Sequence, residues 1–418
     1  MLSEVTPQQV FDAIDSRADQ ARQWLMDVIA FDSVQGNEAG VQAYMKDLLT
    51  SLGFDAEYRE ISDEIFDDPE YSHNENELSY AGRPNLVAVT RGSGGGRSLI
   101  LQSHTDVVPG ADWKDAFEPK FEDGFVIGRG AMDAKGQVVM QTVAMAALRD
   151  LGVQLRGDVE HQVVIEEEPG GNGALALIRQ GCTADGVIVG EGSSLNVFPA
   201  NRGAIWFQAR TTGTPMHMGR RHLGQNAIEK MVEVILRMED YEKQLIADSA
   251  NYPLFERYEA PVQLCLGIIR AEGWPSMVAG ECYMEGGVGF LPNKSMTQVK
   301  QELWDAVMRT DDQWLKDHFE LTFNKLHNDS YEIPGDHPLP VTFNDSVREY
   351  FPGSEIFGWN VSCDARLYNR VAGLPTLVFG AADIQQAHSG GEKVSMDELL
   401  TGAKGLALGI VRWCNGER

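Results

Sequence analysis

The chain is short of basic residues, short of cysteine and without a long apolar run, and each shortage closes off a class of function. Lys and Arg number 35 against 62 Asp and Glu, for a formal net charge of -27. So acidic a surface repels phosphate backbones and anionic headgroups, and no nucleic-acid or membrane partner is expected. The five cysteines (Cys182, Cys265, Cys282, Cys363, Cys414) are odd in number, scattered and free of C-x-x-C spacing. They read as reduced, structural thiols of a cytoplasmic protein rather than as a disulfide framework. No stretch reaches membrane-spanning length. The opening M-L-S-E-V-T-P-Q-Q-V-F lacks the basic-then-apolar order of a secretion signal.

What remains supports well-packed globular domains. At 418 residues, 43% of them hydrophobic, the chain is long for a single core, and two domains are expected. Amphipathic patterning predicts a helix capped by Thr6 and running through Phe11, Ile14 and Trp24 to Ile29, then a second over about 39–52. Strands are expected at 85–90 and 98–102, and the R-G-S-G-G-G-R between them reads as a flexible hairpin rather than a phosphate cradle. From there strands alternate with helices: a helix over 137–149, a strand at 159–165, a helix over 174–180 and a buried strand at 186–189. That alternation predicts an α/β sheet covered on both faces, whose ligands gather at the carboxyl ends of the strands.

Near Arg202 the pattern changes. A strand over 204–211, a long helix over about 225–245, strands at 262–269 and 281–290, a helix over 297–309 and a strand near 318–323 make a compact α+β sandwich. Afterwards the α/β pattern resumes with a helix at 344–350, a strand at 376–379 and a terminal helix at 396–413. The expected layout is a discontinuous catalytic domain, 1–201 and 324–418, with an inserted domain at 202–323.

Five clusters of ligand-type residues fall where strands stop. S-H-T-D-V-V-P (103–109) follows the apolar run 98–101 and delivers His104 and Asp106 together, since side chains two apart on a strand share a face. A carboxylate beside an imidazole can fix its tautomer for metal binding; alone, this pair would read as an ordinary satisfied histidine. G-R-G-A-M-D-A-K-G (128–136) projects Asp133 from a tight turn. I-E-E-E-P-G-G-N-G (165–173) sets three glutamates in a row, a costly repulsion without a cation or solvent. V-G-E-G-S (189–193) and A-H-S-G-G-E (387–392) add Glu191 and His388. Imidazole and carboxylate donors suit zinc, cobalt or manganese. Five ligands exceed one catalytic zinc but fit two metals sharing a carboxylate, which at roughly 3.5–4 Å apart can ionise a water and polarise a carbonyl.

These segments resemble the di-zinc amidohydrolases and exopeptidases that include acetylornithine deacetylase, succinyl-diaminopimelate desuccinylase, aminoacylase and glutamate carboxypeptidase. The resemblance extends from S-V-Q-G-N-E (33–38) to A-H-S-G-G-E. It implies a metallopeptidase-like catalytic domain with a doubly covered mixed sheet and an inserted lid domain through which two subunits pair. It further implies that His104 and Glu191 hold one divalent ion, Glu168 and His388 the other, and that Asp133 bridges them. Asp106 would orient His104, and Glu167 would be the general base, on an alignment of E-E-P-G-G-N-G that a one-residue slip would change. Gly213-Thr214-Pro215-Met216-His217 fits the family's G-x-x-x-H, which makes His217 the stabiliser of the tetrahedral intermediate, often in the partner subunit's site.

The departures concern substrate. Relatives carry an arginine in the strand leading to F-L-P, as a carboxylate clamp; here that strand reads M-E-G-G-V-G-F-L-P, with Gly286 and Gly287 at the place. E-P-T has become E-G-S, and D-M-K-G-G has become D-A-K-G-Q. Arg366, in C-D-A-R-L-Y, and Asn226 are the candidate substrate-binding residues, with an ordinary structural arginine the equal alternative for Arg366. The expectation is a metal-dependent hydrolase of a small-molecule C–N bond, deacylating an N-acyl amino acid or similar amide. An aminohydrolase acting on an aromatic amine such as an aminobenzoate, and a catalytically inactive ligand-binding homologue, stand as alternatives.

Overall fold

A computed structural model of the protein describes residues 5–73 and 77–417. Thr6 caps the first helix as expected, accepting from the Gln9 amide while the Gln9 side chain accepts from the Thr6 amide. That helix stops early, however. The Ser16 hydroxyl donates back to the Ala13 carbonyl, and Pro7–Asp15 and Ala18–Ile29 are two helices rather than one. A third, Ala39–Ser51, matches its expected span.

The central sheet has six strands in the order Asp55–Arg59, Asn85–Thr90, Val159–Val164, Leu99–His104, Val187–Val189, Thr376–Val378. The first two pairings are antiparallel and the last three parallel. Alternation sends Leu99 and Leu101 into a core with helices Lys135–Asp150 and Met396–Asn415, while Ile100 packs on the opposite face with the helix Asn172–Arg179. Both faces are therefore dry, as a parallel sheet requires.

The expected hairpin is absent, a correction with a packing cause. Strand Val159–Val164 lies between Asn85–Thr90 and Leu99–His104, so the glycine-rich link reverses the chain across a strand-wide gap instead of joining paired neighbours. Its glycines permit close backbone approach: a Cβ at Gly96 would stand 1.9 Å from the Cys414 carbonyl, and one at Gly92 2.5 Å from that of Arg156. Farther on, Pro338 opens the helix of the resumed α/β segment, which spans Pro338–Arg348 rather than 344–350.

Between the fifth and sixth strands the chain builds a second, antiparallel sheet in the order Gln263–Arg270, Glu281–Phe290, Gly203–Thr212, Phe319–Thr322. Helices Ala227–Asp248 and Met296–Met308 cover one face with a separate core of residues such as Phe207, Met231, Leu245, Phe290 and Leu303. The bridge His327–Asn328 extends this sheet beyond 323 by pairing with Gly203–Thr212. No helix among the described residues is long and apolar enough to cross a membrane.

Candidate metal centre

The parallel strands aim their carboxyl ends in one direction, and the ligand-type residues collect there. His104 closes its strand, fully buried. Its Nδ1 donates to the backbone carbonyl of Asp106 at 3.0 Å and lies 3.4 Å from the Asp106 carboxylate. The tautomer is thus set first by a main-chain oxygen. The Asp106 carboxylate also accepts from the Glu168 amide at 3.0 Å, tying the histidine loop to the glutamate loop.

Nε2 of His104 then faces inward, 3.2 Å from Asp133 Oδ1, 3.5 Å from Glu191 Oε1 and 3.9 Å from Glu167 Oε2. Across the site, His388 Nε2 is 3.0 Å from Glu168 Oε2 and 3.5 Å from Asp133 Oδ2. Asp133 stands between the two histidines with one oxygen toward each. Among the described residues, two three-residue groups could each hold a metal ion: His104, Glu167 and Glu191, and Asp133, Glu168 and His388, with donor atoms within 4.8 Å of one another in each group.

The electrostatics fit a cation pair. Burial, with Asp364, Glu191 and Glu168 adding and His104 opposing, holds the Glu167 carboxyl well above the carboxylate range. Burial likewise pushes Glu191 up to about 7 against the opposing pull of His104. On His104, burial opposes charging, yet Asp106, Asp133 and Glu191 raise it well above the usual imidazole value. Carboxylates crowded this closely repel unless positive charge sits among them.

The surroundings resolve the three glutamates. Glu166, at φ +60°, turns away into a buried network, accepting from Tyr80 Oη, Gln35 Nε2 and Arg83, whose guanidinium also binds Glu38. Glu167 and Glu168 are the two that face the centre. Two supporting residues escaped the sequence reading. Glu392, last in A-H-S-G-G-E, accepts from the Met132 and Asp133 amides and pairs with buried Arg129, fixing the Asp133 turn. Asp364 is buried nearby, accepts from Gln102 at 2.7 Å and is pushed up to about 7, chiefly by burial. The motif endings E and C-D-A-R were the available signals.

The centre opens on a cleft of 1140 Å³ lined by Asp133, Glu167, Glu168, Glu191 and His388, and also by Trp206 and Gln208 of the second sheet and by Arg202 just before its strand. His104 and Asp106, described above, and three further candidates lie outside that lining. The buried Arg366 guanidinium donates to the Gly170 carbonyl at 2.9 Å and stands 3.8 Å from Glu70, which braces the loop after Glu168. Asn226 caps the helix Ala227–Asp248 by accepting from the Ile228 amide. His217 is exposed after the strand Gly203–Thr212, its Nδ1 accepting from the Gly219 amide.

A match to the peptidase family M20/M25/M40 spans residues 100–411. The chain belongs to this family. It is 28% identical over 413 residues, 91% of each chain, to the N-formyl-4-amino-5-aminomethyl-2-methylpyrimidine deformylase of Bacillus subtilis. It is 27% identical over 336 residues, 79% of this chain and 84% of the other, to acetylornithine deacetylase of Myxococcus xanthus. A Bacillus subtilis structure described as a dinuclear metal binding peptidase of the M20 family shares the fold, with a TM-score of 0.66, 12% identity, and coverage of 96% of this chain and 100% of that one. As an M20 member the protein is a hydrolase acting on C–N bonds.

Proposed function

We propose that the protein removes an acyl group from the nitrogen of a small molecule, with two divalent ions, zinc by preference, at the strand-end centre. The observation that carries this reading is Asp133, one carboxylate oxygen toward each histidine, with Glu167 3.9 Å from His104 Nε2 in the lining of an open cleft. His104 and Glu191 would hold one ion, Glu168 and His388 the other, and Asp133 both. When bound, the ions supply Lewis acidity toward a carbonyl and a nucleophilic water near neutral pH. Glu167 takes the proton of the attacking water and passes it to the leaving nitrogen, a role suited to a carboxyl already raised by its surroundings. The deformylase and deacetylase relatives, both named for removing an acyl group, support amide cleavage.

In this reading residues 202–323 form a lid and pairing domain inserted between 1–201 and 324–418. A homodimer is supported by unpartnered apolar surface on that domain. Leu266, Ile268 and Ile269 are exposed on its edge strand, and Ile228, Val232 and Leu236 at i, i+4 and i+8 on its long helix. His217, outside the cleft of its own chain, would act as oxyanion stabiliser in the partner's. A cytoplasmic location agrees with five free thiols. The test is metal analysis coupled to a screen of N-formyl, N-acetyl and N-succinyl amines and amino acids, monitored for the freed amine. Cleavage that requires bound metal supports the reading; cleavage of none of them by metal-loaded protein contradicts it.

A further inference from the structure

On the cleft side, the strand Gly203–Thr212 and its forerunner Arg202 present a regular wall. Arg202, Ala204, Trp206 and Gln208 line the cleft, while Ile205, Phe207 and Ala209 enter the lid core. Trp206 is the large member of that wall and stays 52% exposed, although an indole so placed gains by being covered. Directly opposite it in the adjacent strand is Gly287. A Cβ at Gly287 would stand 3.4 Å from Trp206 Cδ1, so the indole leans over a position with no side chain. Two residues on, a Cβ at Gly289 would stand 3.0 Å from an Arg202 guanidinium nitrogen. The glycines in M-E-G-G-V-G-F thus do more than remove a charged clamp. They leave a flat floor beside an open aromatic face, in the same cleft as the metal ligands.

Resting on the hydrolase reading above, we infer that Trp206 is a specificity-determining residue and that the substrate carries a planar aromatic or heteroaromatic ring, which lies against its indole. A cationic group is the other partner an indole attracts, but the Arg202 guanidinium on the same wall opposes it. A saturated ring of the same size would fill the space and lose the stacking geometry.

The test uses the metal-loaded protein with two matched amides, N-formylbenzylamine and N-formylcyclohexylmethylamine, and equilibrium binding of the two parent amines by calorimetry. The native protein should favour the aromatic member in kcat/KM and in affinity by about threefold to tenfold, the range of an aromatic pair beyond its buried area. Trp206→Leu should bring that ratio near one, and Trp206→Phe should keep most of it. Gly287→Val, which leaves the indole in place but crowds its face, should lower the ratio as well and serves if Trp206→Leu folds poorly. A native ratio at or below one, or a ratio unchanged in both Trp206→Leu and Gly287→Val, overturns the inference. If neither amide is cleaved, the formyl group is the wrong acyl group for this site, and the amine affinities across the same variants still decide the role of Trp206.

Discussion

The two walls of the cleft are built on opposite terms. The floor, at the ends of the parallel strands, is crowded with charge. His104, Asp133 and Glu191 are buried, and their positions are over-determined by Glu392, Arg129, Asp106 and the Glu166–Arg83 network. The opposite wall is sparse: along the strand Gly203–Thr212 one residue in two meets the cleft, with a half-exposed indole among them. Fixed charges serve a reaction that must be performed the same way on any substrate, whereas an uncrowded wall can change its occupant without disturbing the chemistry. Damage to the floor should therefore cost catalysis as a whole, and damage to the opposite wall should alter selectivity by small factors.

The largest expected effect is complete loss. Chelation, or Asp133→Ala, should abolish turnover of every substrate, measured by release of free amine; a variant that keeps activity toward one substrate would erase the distinction between floor and wall. Next comes Glu167→Gln, which should retain metal while kcat falls by roughly 10²–10⁴-fold, the usual range for a general base. If Glu167→Gln loses metal and Glu168→Gln keeps it, the two glutamates exchange roles.

His217 joins the two regions, since it follows the strand Gly203–Thr212 but is proposed to act in catalysis. His217→Ala should lower kcat by about 10²–10³-fold, the range for one oxyanion donor, at unchanged metal content. Mixing that variant with Glu167→Gln under subunit exchange should restore one working site in each mixed dimer. Confirmed exchange without regained activity would place the histidine in its own chain or outside the reaction. The smallest effect is the several-fold change of aromatic preference on altering Trp206, with metal content intact.

These differences also mark what the sequence could reveal. The alternating strands and helices, the second antiparallel sheet and the gathering of ligand-type side chains were legible, because most of those side chains follow a short apolar strand and the parallel strands end on one side. The role of Glu166 was not. Its departure from the centre depends on Arg83 and Glu38, distant in sequence, and on a positive φ that no local pattern announces. The hairpin expected at Gly92–Gly96 failed for a similar reason, since pairing order is settled by a strand that arrives sixty residues later. The alternation of 204–211 was visible as a strand, but which of its faces met the cleft and which the lid core is fixed only by packing. Arg366 had two equal readings in the sequence, and its hydrogen bond to the Gly170 carbonyl gives it a bracing part in the structure.

The central claim is a two-ion centre organised by a single shared carboxylate, and the most direct test counts metal per chain by mass spectrometry in the native protein and two variants. The account predicts two ions in the native protein, loss of both in Asp133→Ala, and loss of mainly one in His388→Ala. A native protein that is fully active without bound metal, or an Asp133→Ala variant that keeps both ions, would contradict it.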